Sequence, residues 1–423
     1  MGCLIVQHLM LNQIIDPSDA TVLVSRGEDG SVSQARFDLF SLPRVGNMMA
    51  GRPVVDVPGL AERLCGICPV AHHLAGVAAL EAMGGPIELT PTVKAVRRLL
   101  NFGSVIDSYL LGFIGTNLAQ VKVLRQFAKQ AMTVAGSPKH FPTTALPGRV
   151  SATVDSAALA DLATALPAAL AAAQEIVASQ AGVKAPDGQF PGADAALVDE
   201  VGAIDLVGEH LKVVAADGTL IHDGVTSDQW DQTVAEAVPG SSAPRPYLVA
   251  LGQDNGLYRT GPVAQLRVGW LTTPLAEQAR QRWLADCGGA GEARAIIALY
   301  CVEAIGQLCL DEVITLDDLG QAVAPNGVGV GVGWVESGRG LLVHRYQCDQ
   351  DGAVVDATIL TPTAQNEPWL AVLLKQACAS NDVEAAMEDA IREADPCLPC
   401  STAPQGQMGL VITDQPAVTT RGD

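Results

Sequence analysis

The chain has 423 residues, 48% of them hydrophobic, and carries a formal net charge of −20. This length is enough to bury one large core or two intimately packed ones. Because nucleic acids and anionic lipids are themselves negatively charged, the excess of acidic residues argues against nucleic-acid binding and membrane-surface binding.

The first half of the chain predicts mainly helices. Aromatic residues make up only 4% of the chain and glycines number 42, which favours closely packed helices over a β-sandwich. The most apolar stretch includes Asp161 and Glu175, so it predicts a buried or half-buried helix and no membrane span. The predicted elements are strands over 20–40, an extended segment over 53–58, helices over 72–83 and 92–109, a structured loop over 137–148 and a helix over 151–181.

The second half predicts a mixture of strands and helices. Residues 182–265 are rich in turns and short apolar runs, which indicates a β-containing region within a main unit of residues 1–403. Residues 404–423 form a short tail. The remaining predicted elements are a helix over 274–310, a glycine-rich strand or loop over 327–333, a hairpin over 341–360 that turns at 350–352, and a helix over 367–394.

Two pairs of cysteines carry the strongest chemical signal. Cys65 and Cys68 form one Cys-x-x-Cys pair, and Cys397 and Cys400 form the other. The first eight residues lack the basic segment of a secretory signal, so a cytoplasmic location is predicted. Thiols stay reduced there, and paired cysteines usually bind metal or perform redox chemistry.

Spacing alone leaves the kind of site open. Four cysteines in two such pairs are also typical of a structural zinc site, and each pair alone resembles a thioredoxin-like redox motif. The two pairs stand at opposite ends of a chain with a sufficient core, whereas structural zinc usually staples a small domain. Neither pair lies on a clear βαβ pattern.

The motifs around the cysteines resemble those of nickel–iron hydrogenase large subunits over roughly residues 20–414. The longer form, Cys-Gly-Ile-Cys-Pro-Val-x-His-His with a later Gly-Gln-Met, is most similar to the cytoplasmic NAD-coupled branch. The matching motifs are Arg63-x-Cys65-Gly66-x-Cys68-x-x-x-His72, residues 145–150, residues 261–266, Glu336-Ser-Gly-Arg339-Gly340-x-Leu-x-His344-x-Tyr346, Pro362-Thr363-x-x-Asn366 and Asp395-Pro-Cys397-x-x-Cys400.

This resemblance implies the fold and the metal centre. The implied fold is α+β and predominantly α, with a helical core and peripheral β elements near residues 20–60, 205–265 and 325–365. The implied centre holds nickel on all four thiolates. It also holds an iron that carries cyanide and carbon monoxide, bridged by Cys68 and Cys400. Cys65 and Cys397 are then terminal nickel ligands.

The resemblance also implies roles around the centre. Cys397 takes a proton when dihydrogen is split, and Arg339 lies over the open metal position. Thr363 and the backbone near Pro362 lie beside the diatomic ligands of the iron. His72 donates a hydrogen bond to a cysteine sulfur. From the residues alone, Arg339 could equally be a surface arginine in a turn, and His72 a satisfied core histidine.

Three positions depart from the family pattern. Pro17 stands about where the family has its proton-carrying glutamate. Gly46 and Ala403 replace a glutamate and a histidine that bind a third, structural ion in the family. Since both ligands are lost together, we expect no magnesium at that third site. The tail after Ala403 is expected to stay attached.

The sequence therefore predicts a hydrogenase catalytic subunit that passes electrons to an iron–sulfur small subunit. A flavin/NAD module is a possible further partner, because the chain has no nucleotide-binding motif of its own. Two alternatives remain at this point. One is a divergent relative that senses hydrogen or turns over slowly, and the other is a structural zinc protein.

Overall fold

The computed structural model describes residues 20–39, 46–85, 87–183, 190–325 and 329–415. Its α-helices are α1 (Gly46–Met49), α2 (Val57–Ala61), α3 (Pro69–Met83), α4 (Pro91–Tyr109), α5 (Leu118–Val134), α6 (Ser156–Gln180), α7 (Trp230–Thr233), α8 (Gly252–Asn255), α9 (Pro262–Val268), α10 (Pro274–Asp286), α11 (Ala290–Leu310), α12 (Pro362–Ala377) and α13 (Val383–Ala394).

The strands form small sheets around and between these helices. The strands are β1 (Ala20–Arg26), β2 (Val32–Phe37), β3 (Ala145–Leu146), β4 (Arg149–Val150), β5 (Ala193–Val198), β6 (His210–Val214), β7 (Leu220–Val225), β8 (Val234–Glu236), β9 (Pro246–Leu248), β10 (Tyr258–Arg259), β11 (Gly329–Ser337), β12 (Gly340–Cys348), β13 (Val354–Leu360) and β14 (Leu410–Gln415). The larger sheets have the orders β14-β1-β2, β10-β5-β6-β7 and β11-β12-β13. The fold is α+β, as predicted.

The helical core is built on α4, α6 and α11. Helix α4 packs against α5 and α11, and α6 packs against the same two helices. Local sequence explains where α4 starts. The hydroxyl of Thr90 accepts a hydrogen bond from Val93 N, and Pro91 occupies the first turn, where its missing N–H costs nothing. The predicted helices over 92–109 and 151–181 are confirmed.

Strand β11 is rich in glycine because it lies directly against α3. A Cβ atom on Gly331 would lie 2.0 Å from the carbonyl oxygen of Ala79, and one on Gly333 would lie 2.2 Å from its amide nitrogen. Only glycine permits this approach. The contact holds the β11–β12 hairpin against the helix that follows the first cysteine pair, and so fixes the turn at Arg339 relative to those cysteines.

Several sequence predictions need correction. Residues 53–58 are not extended: Val54–Asp56 form a 3₁₀ turn, and α2 follows with Pro58 in its first turn. The helix predicted over 274–310 breaks at Cys287, which has a left-handed backbone with φ of 52° before two glycines. The helix predicted over 367–394 is likewise two helices, α12 and α13.

The β elements are also less peripheral than expected. Every residue of β5 is buried, and β11 and β12 are buried over most of their length. Helix α5 and strand β14 had no counterpart among the predicted elements. Strand β14 pairs in parallel with β1, so the tail forms part of a sheet.

Helices α6 and α11 are long and apolar enough to cross a membrane by length and composition. In α11, 67% of the most apolar window is buried inside the protein, which is typical of a core helix. In α6 the corresponding share is 28%. Its buried side chains contact α5 and α11.

Candidate metal centre

Three of the four predicted cysteine ligands meet at one point. Cys65 and Cys68 lie on the connection between α2 and α3, and Cys68 is the N-cap of α3. Cys397 lies in the loop after α13. Its Sγ is 3.4 Å from Sγ of Cys65 and 3.9 Å from Sγ of Cys68. Among the described histidine, cysteine, aspartate and glutamate side chains, these three form the only group with ligand atoms close enough to share an ion.

The backbone around Cys397 is held from two sides. Helix α13 ends at Asp395, which adopts a left-handed conformation with φ of 47° and turns the chain back. The amide of Cys397 then donates a hydrogen bond of 2.8 Å to Oγ1 of Thr363, in the first turn of α12. Thr363, predicted to lie beside the iron ligands, therefore also anchors a cysteine. Pro362, the residue before it, lines the cavity beside the cluster.

Cys400 lies outside this group of three thiols. It is fully buried on the 3₁₀ turn Pro399–Thr402, directly after Cys397. Burial raises the pKa of the Cys400 thiol to about 11.

The three clustered thiols share their protons unequally. Hydrogen bonds from Cys397 and Cys68 lower the pKa of Cys65, whereas the bonds that Cys68 and Cys397 make with Cys65 raise their own pKa values. Cys65 is therefore the residue that holds the negative charge. A buried cluster of soft sulfur donors with a negative charge fits a soft or borderline metal ion.

Arg339 lies at the turn between β11 and β12 and supplies a positive charge beside the cluster. Its side chain is only 5% exposed. Nη1 donates to Oγ of Ser108 at 3.3 Å, and Nη2 lies 3.5 Å from Oδ1 of Asp395. Burial opposes the charge, but Asp395 and then Cys397 raise the pKa of Arg339, so it stays protonated. The interpretation of Arg339 as a surface arginine is wrong.

Close backbone contact fixes the turn that carries Arg339. A Cβ atom on Gly261 would lie 2.6 Å from the carbonyl oxygen of Arg339, and Gly261 has a positive φ of 90°. Asn366 bridges the same two segments, since Oδ1 accepts from Thr260 N at 2.8 Å and Nδ2 donates to Arg339 O at 3.5 Å. Three motifs that are distant in sequence thus meet to aim one guanidinium.

His72 lies in the first turns of α3 and lines the same cavity as Cys65 and Cys68. Its Nδ1 is 3.0 Å from Nε2 of His344. Burial lowers the pKa of His72 to about 4, so the ring is neutral. His73, the next residue, accepts a hydrogen bond from the amide of Ala145 at 3.1 Å, which is the structural role expected of it.

The cavity that the described residues leave beside the cluster has a volume of about 510 Å³. Besides the cluster it is lined by Arg339, Thr363 and the segment 239–244. The described residues therefore combine three thiols, a fixed cation and open space, which is the arrangement needed to bind a metal that keeps an open position.

Hydrogenase subunits resemble the chain over almost its full length. The β subunit of the NAD-reducing hydrogenase HoxS from Cupriavidus necator is 26% identical over 95% of this chain and 96% of its own. A solved NAD+-reducing nickel–iron hydrogenase in the H2-reduced state has 28% identity and a TM-score of 0.79, covering 89% of this chain and 95% of its own. The chain is a divergent member of the nickel–iron hydrogenase large-subunit family.

Other relatives are consistent with this family. An F420-non-reducing hydrogenase from Methanothermobacter thermautotrophicus contributes a subunit that is 27% identical over 90% of this chain and 92% of its own. A nickel–iron–selenium hydrogenase of Desulfovibrio vulgaris Hildenborough shares the fold, with 18% identity and a TM-score of 0.64 over 89% of this chain and 95% of its own. No protein-family model matches the chain.

Two of the three departures from the hydrogenase pattern can be placed. A Cβ atom on Gly46 would lie 2.4 Å from the carbonyl oxygen of Ala357, so this backbone position has no room for the family's glutamate. The carbonyl of Ala403 accepts hydrogen bonds from Nε and Nη2 of Arg392 at 3.4 and 3.2 Å. Pro17 lies outside the described residues.

The structure also adds residues that sequence reasoning did not assign. Ser108 and Asp395 hold the guanidinium of Arg339, and Ser401 donates to Oδ1 of Asp395 at 3.0 Å. Asp395 stands inside the second cysteine motif, so its position there was a usable signal. Nothing in the spacing of Ser108, on a long amphipathic helix, distinguishes it from a core serine.

Proposed function

We propose that this chain is the catalytic subunit of a nickel–iron hydrogenase and catalyses H2 ⇌ 2H+ + 2e−. The observation that carries the proposal is the convergence of Cys65, Cys68 and Cys397 in a buried cluster beside the protonated Arg339. This arrangement places a soft metal site and a fixed positive charge at the same open cavity.

The four cysteines would hold the metal centre. Cys65 and Cys397 would be terminal ligands of nickel, and Cys68 and Cys400 would bridge it to an iron that carries cyanide and carbon monoxide. Cys400 follows Cys397 on the same turn, so we expect it to complete the ligand set when metal is present. The bound centre would supply the open coordination position and the redox change that heterolytic H2 cleavage needs.

The chain's own residues would then handle charge and protons. Cys397 would take the proton, because its thiol already shares a proton with Cys65 and its pKa is raised in the cluster. Arg339 would stabilise the charge that develops at the open position. Asp395 and Ser108 would keep its guanidinium in place without neutralising the site, since the arginine remains protonated.

Other residues would shape the surroundings of the centre. Thr363 holds the backbone of Cys397 and, with the backbone near Pro362, would lie beside the diatomic ligands of the iron. His72 would donate a hydrogen bond to a cysteine sulfur, which tunes the basicity of that ligand.

We expect the electrons to leave through an iron–sulfur small subunit, with a flavin/NAD module as the candidate for the next acceptor. The other cysteines of this chain are scattered along the sequence, at positions 3, 287, 301, 309, 348 and 378. Cluster and nucleotide sites would therefore belong to partner subunits. A cytoplasmic location, without nucleic-acid binding or membrane insertion, fits the charge and the cysteine usage.

We further propose that the third ion site of the family is absent. Gly46 has no room for a carboxylate side chain, and the positively charged Arg392 lies against the carbonyl of Ala403. The tail after Ala403 would remain attached, since Met408 is fully buried and β14 pairs with β1.

A second candidate function is a hydrogen sensor or slow enzyme with the same metal centre. The observation in its favour is Pro17, which stands in the sequence where the family has its proton-carrying glutamate. Such a protein would bind the metals but turn over little.

Metal content and infrared spectra test the proposed function. Protein purified with its partner subunits from the native host should contain nickel and iron, and should show infrared bands of iron-bound cyanide and carbon monoxide. Hydrogen-dependent dye reduction then separates an enzyme from a sensor. Zinc in place of nickel and iron would contradict both candidates.

A further inference from the structure

A chain of three buried polar side chains leads away from the cysteine cluster. Nδ1 of His72 is 3.0 Å from Nε2 of His344, and Nδ1 of His344 is hydrogen-bonded to the hydroxyl of Tyr346. His72 is 4% exposed, and the other two are fully buried. His344 and Tyr346 are two residues apart on β12, so both side chains lie on the face that packs against α3.

Both histidines are neutral, so each carries a single ring proton. Burial lowers the pKa of His72 and of His344, and burial raises the pKa of Tyr346, which keeps its hydroxyl protonated. One of the two nitrogens in the contact between the rings must donate and the other must accept. The chain of hydrogen bonds can therefore point in only two directions.

The cysteine cluster distinguishes the two directions. Because Nδ1 of His72 faces His344, its Nε2 is the nitrogen left to face the cavity that it shares with Cys65 and Cys68. Cys65 carries the negative charge of the cluster and acts electrostatically on His72. A negative sulfur attracts an N–H donor and repels a nitrogen lone pair, so the proton of His72 belongs on Nε2.

That choice determines every other proton in the chain. If Nε2 of His72 carries the proton, Nδ1 must accept from Nε2–H of His344. Nδ1 of His344 is then bare and needs a donor. In the described part of the chain, Tyr346 is the group hydrogen-bonded to that nitrogen, and its hydroxyl can donate.

We propose that Tyr346 is a positioning residue, which fixes the tautomers of His344 and His72 so that an N–H donor of His72 faces the metal-binding thiolates. The hydrogen bonds run from Tyr346 to His344, from His344 to His72, and from His72 toward sulfur. The effect on catalysis rests on the proposed function. The tautomers themselves do not, because they follow from contacts within this chain.

The first test measures the tautomers directly. The full-length chain contains seven histidines, so isotope-labelled histidine gives few ring-nitrogen NMR signals, and the variants H72Q and H344Q assign the two of interest. Both rings should carry the proton on Nε2. A His72 protonated on Nδ1 would overturn the proposal.

Two variants separate positioning from packing. Y346F removes only the hydroxyl and should shift the His344 Nδ1 signal toward that of a nitrogen without a hydrogen bond. Y109F is the matched control: Tyr109 is also buried, and its hydroxyl makes no hydrogen bond within the described residues. Unchanged histidine signals in Y346F, or equal changes in Y109F, would refute the proposal.

Catalysis provides the second readout. In the complex, Y346F should lower hydrogen-dependent dye reduction about 10-fold, with nickel and iron content unchanged and the infrared bands of the iron ligands shifted. Adding H344Q to Y346F should restore the Nε2–H tautomer of His72, because a glutamine amide donates without help from Tyr346. If the wild-type complex lacks nickel and iron, the proposed function fails while the NMR result still decides this inference.

Discussion

The cysteine cluster and the segment that follows it lie close together in sequence but treat buried charge differently. In the cluster of Cys65, Cys68 and Cys397, the sulfurs are bonded mainly to one another. A few residues later lies a second set of polar contacts, the tail clamp, formed by Glu388, Arg392, Ala403, Gly406 and Met408. There the carboxylate of Glu388 accepts from Arg392 Nη2 and from the amides of Gly406 and Met408.

This difference distinguishes a metal site from a place where the family keeps a metal and this chain does not. The cluster gathers soft donors with negative charge and leaves open space beside them, so an added cation improves its electrostatics. In the tail clamp, Arg392 already supplies the cation, and backbone amides satisfy the carboxylate. An added divalent ion there would meet a positive charge.

The largest expected effect comes from breaking the cluster. C65S replaces the thiol that carries the negative charge with a weaker and harder ligand, so nickel should be lost and hydrogen-dependent dye reduction should fall below detection. Metal analysis of the purified complex measures the first effect. C287S is the control, because Cys287 is exposed and lies outside the cluster. Nickel content equal to wild type in C65S would show that the cluster does not hold the metal.

The next effect tests whether Arg339 acts through its geometry or only through its charge. R339K keeps the positive charge but cannot contact Ser108 and Asp395 at once. Activity should fall by about 10²–10³-fold with nickel retained. R345K, on the same hairpin, alters only ion pairs with Asp231 and Asp356 and should leave the activity unchanged. Wild-type activity in R339K would mean that a point charge is sufficient.

The sequence alone predicted the cluster better than its surroundings. The cysteine motifs and Arg339 were identifiable because a metal and an oriented cation require particular side chains. The contact of Ser108 with Arg339, and that of His344 with His72, depend on packing between distant segments. Helix breaks such as the one at Cys287 were missed because a left-handed non-glycine residue leaves little trace in apolar periodicity.

The tail gives the third prediction. E388Q removes the charge that binds Arg392 and two tail amides, and it should lower the free energy of unfolding by about 2 kcal/mol, measured by denaturant titration. Metal content should not change, since the cluster is separate. E384Q, on the exposed face of the same helix, is the control. If E388Q is as stable as wild type, the clamp does not hold the tail.

Mass spectrometry sharpens the same comparison. Because Met408 is fully buried and β14 pairs with β1, intact protein from the native host should retain the residues after Ala403. A mass corresponding to cleavage after Ala403 would contradict this expectation. It would also mean that the tail clamp is only a feature of the precursor.

The smallest effect concerns Glu336, a buried carboxyl that has neither a metal nor an arginine as its hydrogen-bond partner. Its oxygens accept from Leu197 N and from Nε2 of Gln265, and burial raises its pKa to about 7. Although burial opposes it, the Gly406 amide and Arg392 lower the pKa of Glu388. The two carboxyls therefore change stability with pH in opposite directions.

For Glu336 the folded state holds its proton more tightly than the unfolded state, whose pKa is near the ordinary glutamate value of 4.5. Between that value and about 7, the folded chain binds more protons, so rising pH costs stability. E336Q removes this dependence, and rotation of the Gln265 amide offers its otherwise unpartnered Oε1 to the new side chain. The stability difference between E336Q and wild type should therefore move in favour of E336Q by about 1 kcal/mol per pH unit near pH 5–6, measured by denaturant titration. Parallel stability curves for the two proteins would mean that Glu336 is already ionised in the folded state and that a neutralising group compensates it, as Arg392 does for Glu388.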